Sequence, residues 1–215
     1  QKKYSILSNI KSDTSFFASA WNLYGMNILD DIVGMYSVSI FNKELNTLTL
    51  VTDEFGIKPI FYYQSNKYLL WASEFEALFS FIKNQRVDLN VCQRSLDHTY
   101  SFLSPFCGNT VIKQIKRLLP GERLVFDSKA NLIKKTRHNI LKSQDLSEGK
   151  MNSKKISDEI SQTFISDVPI ATLISGGIDS SYICSNLKRK NIFQKLYHYK
   201  HPSSEEGFIS DTFYA

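Results

Sequence analysis

The sequence predicts an α+β region followed by the opening of an α/β one. Residues 33–72 hold four short apolar-alternating runs with no helical pattern between them, which gives a β-meander instead of βαβ units. Residues 142–153 (KSQDLSEGKMNS) are polar with few apolar side chains and read as a linker. Beyond them an apolar run, a glycine-containing loop, a helical stretch and a second apolar run follow in the order of a parallel sheet.

Along the chain, residues 14–24 (TSFFASAWNLY) have helical spacing, with Ser12 or Asp13 to cap the start and Gly25 to end it. Residues 33–41 alternate as a strand, with Tyr36, Val38 and Ile40 on one face and Ser37 and Ser39 on the other. A turn at Asn42 to Asn46 leads to a strand over 47–52. Strands over 60–63 and 68–72 are joined through Ser65 and Asn66, and helical spacing returns from Glu74 to Ile82. A further helix is expected over 88–103, including Cys92. Strands at 122–127 and 132–137 flank a turn at Ser128 to Asn131. After the linker, Ile156, Ile160 and Phe164 mark an amphipathic helix. Residues 168–174 (VPIATLI) suit a strand buried on both faces; a helix to about Arg189 and a strand over 193–199 follow. The expected domains are 1–141 and 154–215, with the linker at 142–153.

Composition excludes several classes. The net charge of +5 is scattered, as at Lys113, Lys116 and Arg117, and no helix carries a basic stripe, so nucleic acid is not an expected partner. No apolar run approaches the roughly 20 residues that span a bilayer, so neither is a membrane. Cys92, Cys107 and Cys184 form no CxxC pair and no zinc spacing, and read as reduced thiols. With no signal-peptide pattern at the start, the expected compartment is the cytoplasm. His98, His138, His198 and His201 form no ligand spacing and read as surface or packing residues.

The chemistry is concentrated at Ser175, Gly176, Gly177, Ile178, Asp179 and Ser180, between a predicted strand and a predicted helix. Ligands of open α/β sheets bind at the carboxyl ends of strands. Two glycines let backbone N–H groups approach an anion, and the opening helix adds unpaired N–H groups and the positive end of its dipole. The hydroxyls of Ser175, Ser180 and Ser181 can donate to phosphate oxygens. Asp179 would repel a bare phosphate, and a Mg²⁺ ion between the two resolves the conflict. No Lys follows the glycines, so this is not a G-x-x-x-x-G-K-[ST] loop.

The segment instead matches the SGGxDS loop (PP-loop) of the ATP pyrophosphatases, which cleave ATP between the α and β phosphates. Other segments narrow the resemblance. Ser166-Asp167-Val168-Pro169 before LISGGIDSS is similar to the SDVP…LSGGLDSS stretch of asparagine synthetases. DDIVGMYSVSIF at 30–41, DEFGIKPIFYY at 53–63, Ala72-Ser73-Glu74 with Ala77-Leu78, and IKQIKRLLPGERLVFD at 112–127 resemble that family's segments in order and spacing. The chain thus resembles the glutamine-hydrolysing asparagine synthetase family across nearly its whole length.

The resemblance implies a partial Ntn-type αββα glutaminase sandwich, followed by the start of a PP-loop synthetase domain. Glutamine is hydrolysed in the first. MgATP adenylates a carboxylate in the second, aspartate in asparagine synthetases, and ammonia then displaces AMP to leave an amide. ATP and Mg²⁺ are the implied cofactors; glutamine, ATP and a carboxylate acceptor are the implied small-molecule partners; a homodimer is a form open to the full-length enzyme. Carried over residue by residue, Asp13 holds the glutamine α-amino group, beside its plain reading as a helix N-cap. Ser175, Gly176, Gly177, Asp179 and Ser180 cradle pyrophosphate, Asp179 also binds the metal, and Leu173 offers its backbone to adenine. The nucleophilic Cys of the family is absent, Gln1 standing at position 1 and the oxyanion segment not appearing, so no catalytic residue is assigned. The chain is expected to be a piece cut at both ends, inactive alone. Thr52 and Glu54 stand where the family has two arginines. A related amidotransferase acting on a sugar acid or another carboxylate, and a non-catalytic remnant of a broken gene, are the competing readings.

Overall fold

The computed structural model describes residues 12–138, 152–164, 166, 168–192 and 195–198. The chain divides into two compact units, Gln1–Asp145 and Leu146–Ala215. The expected linker lies outside the described residues except at its end, where Asn152 and Ser153 cap and open a helix.

The first unit begins with α1 (Asp13–Tyr24). Phe16, Phe17, Ala20, Trp21 and Tyr24 recur at three- and four-residue spacing and make its packed face. Gly25 ends it at φ +58°, its N–H donating to the Trp21 carbonyl. A 3₁₀ segment, Gly25–Asp30, follows and buries Ile28 and Leu29.

Among the described residues of this unit, seven strands make two antiparallel sheets: β1 (Ser37–Asn42), β2 (Thr47–Thr52), β3 (Phe61–Gln64), β4 (Leu69–Ala72), β5 (Ile115–Arg117), β6 (Glu122–Phe126) and β7 (Leu132–Arg137). The strand orders are β1-β2-β6-β7 and β4-β3-β5. This corrects the expected single meander, because β2 and β3 do not pair. The chain leaves the first sheet through a tight loop at Asp53, and β6 takes the free edge of β2, with Leu50 opposite Leu124 and Leu48 opposite Phe126. Strand β1 starts at Ser37 and not at 33, since Gly34 lies at φ +154° and Val33 is exposed.

Alternation along the strands feeds three successive cores. Val51 packs with Ala20, Ile28 and Leu29 between the first sheet and α1. Leu50, Leu124 and Phe126 meet Ile60, Tyr62, Leu69 and Leu118 between the two sheets. Tyr63 and Ile115 meet Leu78 and Ile82 of α2 (Phe75–Asn84) beyond the second sheet. The period of two sends Leu50 and Val51, neighbours in one strand, into different cores.

Helix α3 (Gln93–Phe102) is shorter than the expected 88–103. Residues before it pair instead: the Cys92 N–H donates to the Val111 carbonyl (2.8 Å) and the Lys113 N–H to the Asn90 carbonyl (2.9 Å). Cys92 therefore caps the helix from outside and is not within it.

Gly108 sits at φ +69°, and a Cβ there would lie 2.7 Å from the Arg117 carbonyl oxygen. Backbone cannot yield as a side-chain end can. Gly108→Ala should destabilise the first unit by about 2–3 kcal/mol. Urea unfolding checks this; an unchanged midpoint would mean the loop has room.

In the second unit, α4 (Ser153–Thr163) is capped by Asn152, whose Oδ1 accepts the Lys154 N–H at 2.9 Å. Strands β8 (Ala171–Leu173) and β9 (Lys195–Tyr197) pair in parallel, with α5 (Ile178–Arg189) between them in sequence. Asp158 of α4 pairs with Lys190 just past α5. The expected strand buried on both faces is corrected: β8 spans three residues, and Ala171 and Leu173 are exposed, Leu173 at 76%. Three paired residues per strand give its side chains little to pack against.

Candidate functional site

Asp13 is the first residue of α1 and lies in its first turn, where the dipole favours negative charge. The cap position belongs to Ser12, which makes no side-chain cap bond, so the plain reading of Asp13 as N-cap is corrected by one residue. Between α1 and β1 is an open cavity of about 530 Å³ with Asp13, Phe17, Trp21, Tyr36 and Val38 in its walls. Asp13 is the one charged side chain among the described lining residues. An exposed carboxylate over an aromatic wall can hold an ammonium group.

The loop after β2 is built on Asp53, whose importance the sequence pattern does not signal. The residue is 1% exposed. Its carboxylate accepts N–H groups from Ile57 (3.0 Å), Lys58 (3.0 Å), Phe55 (3.1 Å) and Tyr36 (3.3 Å). Burial would raise its pKa, but the four backbone donors, Lys58 foremost, reverse this and hold it below the usual aspartate value. The two positions that depart from the arginine pattern are used locally. The Thr52 hydroxyl donates to the Leu119 carbonyl at 2.9 Å. Glu54 meets His138 Nε2 at 2.9 Å, and His138 Nδ1 lies 3.5 Å from Asp30, which pairs with Arg123 at 2.7 Å.

The cysteines have separate surroundings and none is in a disulfide. Cys184 is buried in α5, Cys107 is exposed, and Cys92 accepts a hydrogen bond from the Ser95 hydroxyl at 3.2 Å. The Ser95 hydroxyl and N–H lower the Cys92 thiol pKa.

In the second unit, the loop from Ser175 leaves the carboxyl end of β8, and α5 opens at Ile178 behind Gly177. Gly176 is at φ +88°, a region few other residues adopt. The Ser180 hydroxyl accepts from the Ser175 N–H (3.3 Å) and donates to the Gly177 carbonyl (3.1 Å). The Gly177 N–H donates to Ser175 Oγ (3.3 Å), and the two serine hydroxyls are 3.1 Å apart. The loop is thus tied across its own mouth, with Ser175 exposed and Ser180 half-buried. Asp179 is exposed in the first turn of α5. Leu173, Ser175, Gly176, Gly177, Asp179 and Ser180 are brought together along one segment. His198, read from sequence as a surface or packing residue, joins them: its Nδ1 is 2.9 Å from the Ile174 carbonyl oxygen. The only sequence signal for it is its place at the end of the second strand of the pair.

Among the described residues no group of three or more His, Cys, Asp or Glu side chains could hold a metal ion, and no helix is long and apolar enough to cross a membrane. A lone carboxylate is nonetheless a donor set that Mg²⁺ takes where phosphates complete its shell.

The family profile for glutamine amidotransferase domains matches residues 3–137, and that for asparagine synthase matches residues 154–200. The chain belongs to the glutamine amidotransferase family, of the asparagine synthetase type. It is 28% identical to asparagine synthetase [glutamine-hydrolyzing] 1 of Bacillus subtilis over 84% of this chain and 28% of that protein. It is also 28% identical to asparagine synthetase [glutamine-hydrolyzing] 2 of the same organism, over 80% of this chain and 25% of that protein. Amidase chyE of Penicillium rubens is 24% identical over 80% of this chain and 26% of its own length. The chain spans under a third of the length of these relatives. The amidotransferase match ends within the last described residues of the first unit, and the asparagine synthase match opens with α4.

Proposed function

We propose that this chain serves a ligase that hydrolyses glutamine and uses ATP to activate a carboxylate, which the released ammonia converts to an amide. The observation that carries the reading is the loop Ser175–Ser181 at the carboxyl end of β8, opening α5, within the stretch similar to asparagine synthases. Residues 1–141 serve as the glutaminase part, an Ntn-type αββα sandwich, and residues 154–215 as part of a PP-loop domain. The succession of helix, sheet, sheet and helix cores in the first unit supports the former; the parallel β8–β9 pair joined through α5 supports the latter.

In this reading Asp13 holds the α-amino group of glutamine. The N–H groups of Gly176 and Gly177 and the Ser175 hydroxyl bind the β and γ phosphates, Ser180 lying at the same cradle, and the backbone of Leu173 meets adenine. Asp179 would hold Mg²⁺, which would supply charge neutralisation at the phosphates. Aspartate is the proposed acceptor, by similarity to the named synthetases. An amidotransferase of the same family acting on a sugar acid or another carboxylate is the other reading.

Product analysis tests the reaction class. The protein carrying this chain, given glutamine, Mg-ATP and aspartate, should release AMP and pyrophosphate in step with amide. ADP and phosphate as products would overturn the reading; AMP and pyrophosphate formed only with another carboxylate would change the acceptor alone.

A further inference from the structure

We infer that His198 is a positioning residue for the phosphate-binding loop, acting through the Ile174–Ser175 peptide; this rests on the nucleotide reading above. The parallel register Leu173↔Tyr197 sets His198 beside Ile174, and the Ile174 N–H donates to the Tyr197 carbonyl at 2.9 Å. The His198 ring then reaches back: Nδ1 is 2.9 Å from the Ile174 carbonyl oxygen. A carbonyl only accepts, so Nδ1 carries the proton in this contact.

That carbonyl belongs to the same planar unit as the Ser175 N–H. The N–H end is held by Ser180 Oγ at 3.3 Å, and the C=O end by His198. One rigid peptide is thus pinned at both ends, by the first turn of α5 and by the strand next to β8. Its orientation fixes where Ser175 Oγ and the Gly176 and Gly177 backbone point. Released at the carbonyl end, the unit can rotate and turn its oxygen, a partial negative charge, toward the space an anion would occupy. Ile174 is preceded by an exposed Leu173, so packing alone holds this peptide weakly.

Substitutions that mimic one ring nitrogen at a time separate this role from general packing. Asn places its amide N–H near the position of Nδ1, whereas Gln reaches the position of Nε2. The chain is titrated with Mg-pyrophosphate, and the ring tautomer of His198 is read by ¹⁵N NMR. The expected results are an Nδ1–H tautomer, binding weakened about fivefold in His198→Ala and in His198→Gln, and binding within about twofold of the original in His198→Asn. Wild-type binding with His198→Ala unaffected, or rescue by Gln and not by Asn, overturns the role of His198 and leaves the nucleotide reading standing. A wild-type chain that binds no Mg-pyrophosphate overturns the nucleotide reading and the inference with it.

Discussion

Asp179→Ala should abolish amide formation by the protein carrying this chain, a fall of about a thousandfold, while glutamine hydrolysis stays within about twofold. The size follows from where the carboxylate stands. It is exposed in the first turn of α5, beside two glycines whose N–H groups suit an anion. A carboxylate there opposes phosphate unless a divalent cation lies between them, so the proposed role of the residue is to act through the ion. Its alternative role, favourable charge at a helix N-terminus, is worth only about 0.3–1 kcal/mol. Asp179→Asn keeps the shape and removes the charge, and loss of amide formation without a matching loss of stability tells the two apart. Both variants should lose amide formation, with the melting temperature nearly unchanged. Retention of more than about a tenth of the activity in either would mean that the carboxylate does not hold a catalytic ion.

The largest stability effect is expected at Asp53. Asp53→Ala should destabilise the first unit by about 3–5 kcal/mol, since it strands four backbone donors that the carboxylate now satisfies in a buried loop. The Asp53 backbone adds to the anchor without depending on the side chain: its carbonyl accepts the Gly56 and Gly121 N–H groups at 3.0 and 2.8 Å. Asp53→Asn keeps one acceptor oxygen and should fall between. The pH dependence has a definite sign. The folded-state pKa is depressed below the ordinary 3.8. The stabilisation is therefore fully present above that ordinary value and is lost as pH falls through the lower folded value. Denaturant unfolding at neutral pH and in acid should show the gap between wild type and Asp53→Asn narrowing in acid. A gap that is small at neutral pH, or that widens on acidification, would show the carboxylate is not clamping the loop.

Much of the local structure was legible because it is decided by near neighbours in sequence. Strand β2 runs over the expected 47–52, α1 ends at Gly25, and the β6–β7 turn closes on Asp127, whose carboxylate accepts the Lys129 and Asn131 N–H groups. Pairing was less legible, because it is decided at a distance. Four consecutive alternating runs look alike whether they form one sheet or two; the break falls at the loop after β2, where Asp53 accepts four backbone N–H groups. Strand β5 is three residues long and has no pattern of its own, being defined by its register with β3. Helix α3 starts later than expected because residues before Gln93 have backbone partners at Val111 and Lys113, which override helical propensity. In the candidate site, the glycines, serines and Asp179 are readable because their types at that spacing suit an anion and a cation. His198 was not, since its relevance depends on which residue the parallel register puts beside Ile174.

The role proposed for the segment from Ser175 to Ser181 is that of a Mg²⁺-dependent pyrophosphate cradle. Titration of the chain with Mg-pyrophosphate, Mg-ATP and AMP, each with and without Mg²⁺, tests it most directly. Binding is expected to be weak, on the order of millimolar, to need Mg²⁺ and to favour pyrophosphate and ATP over AMP. Tighter binding of AMP, or binding indifferent to Mg²⁺, would contradict it.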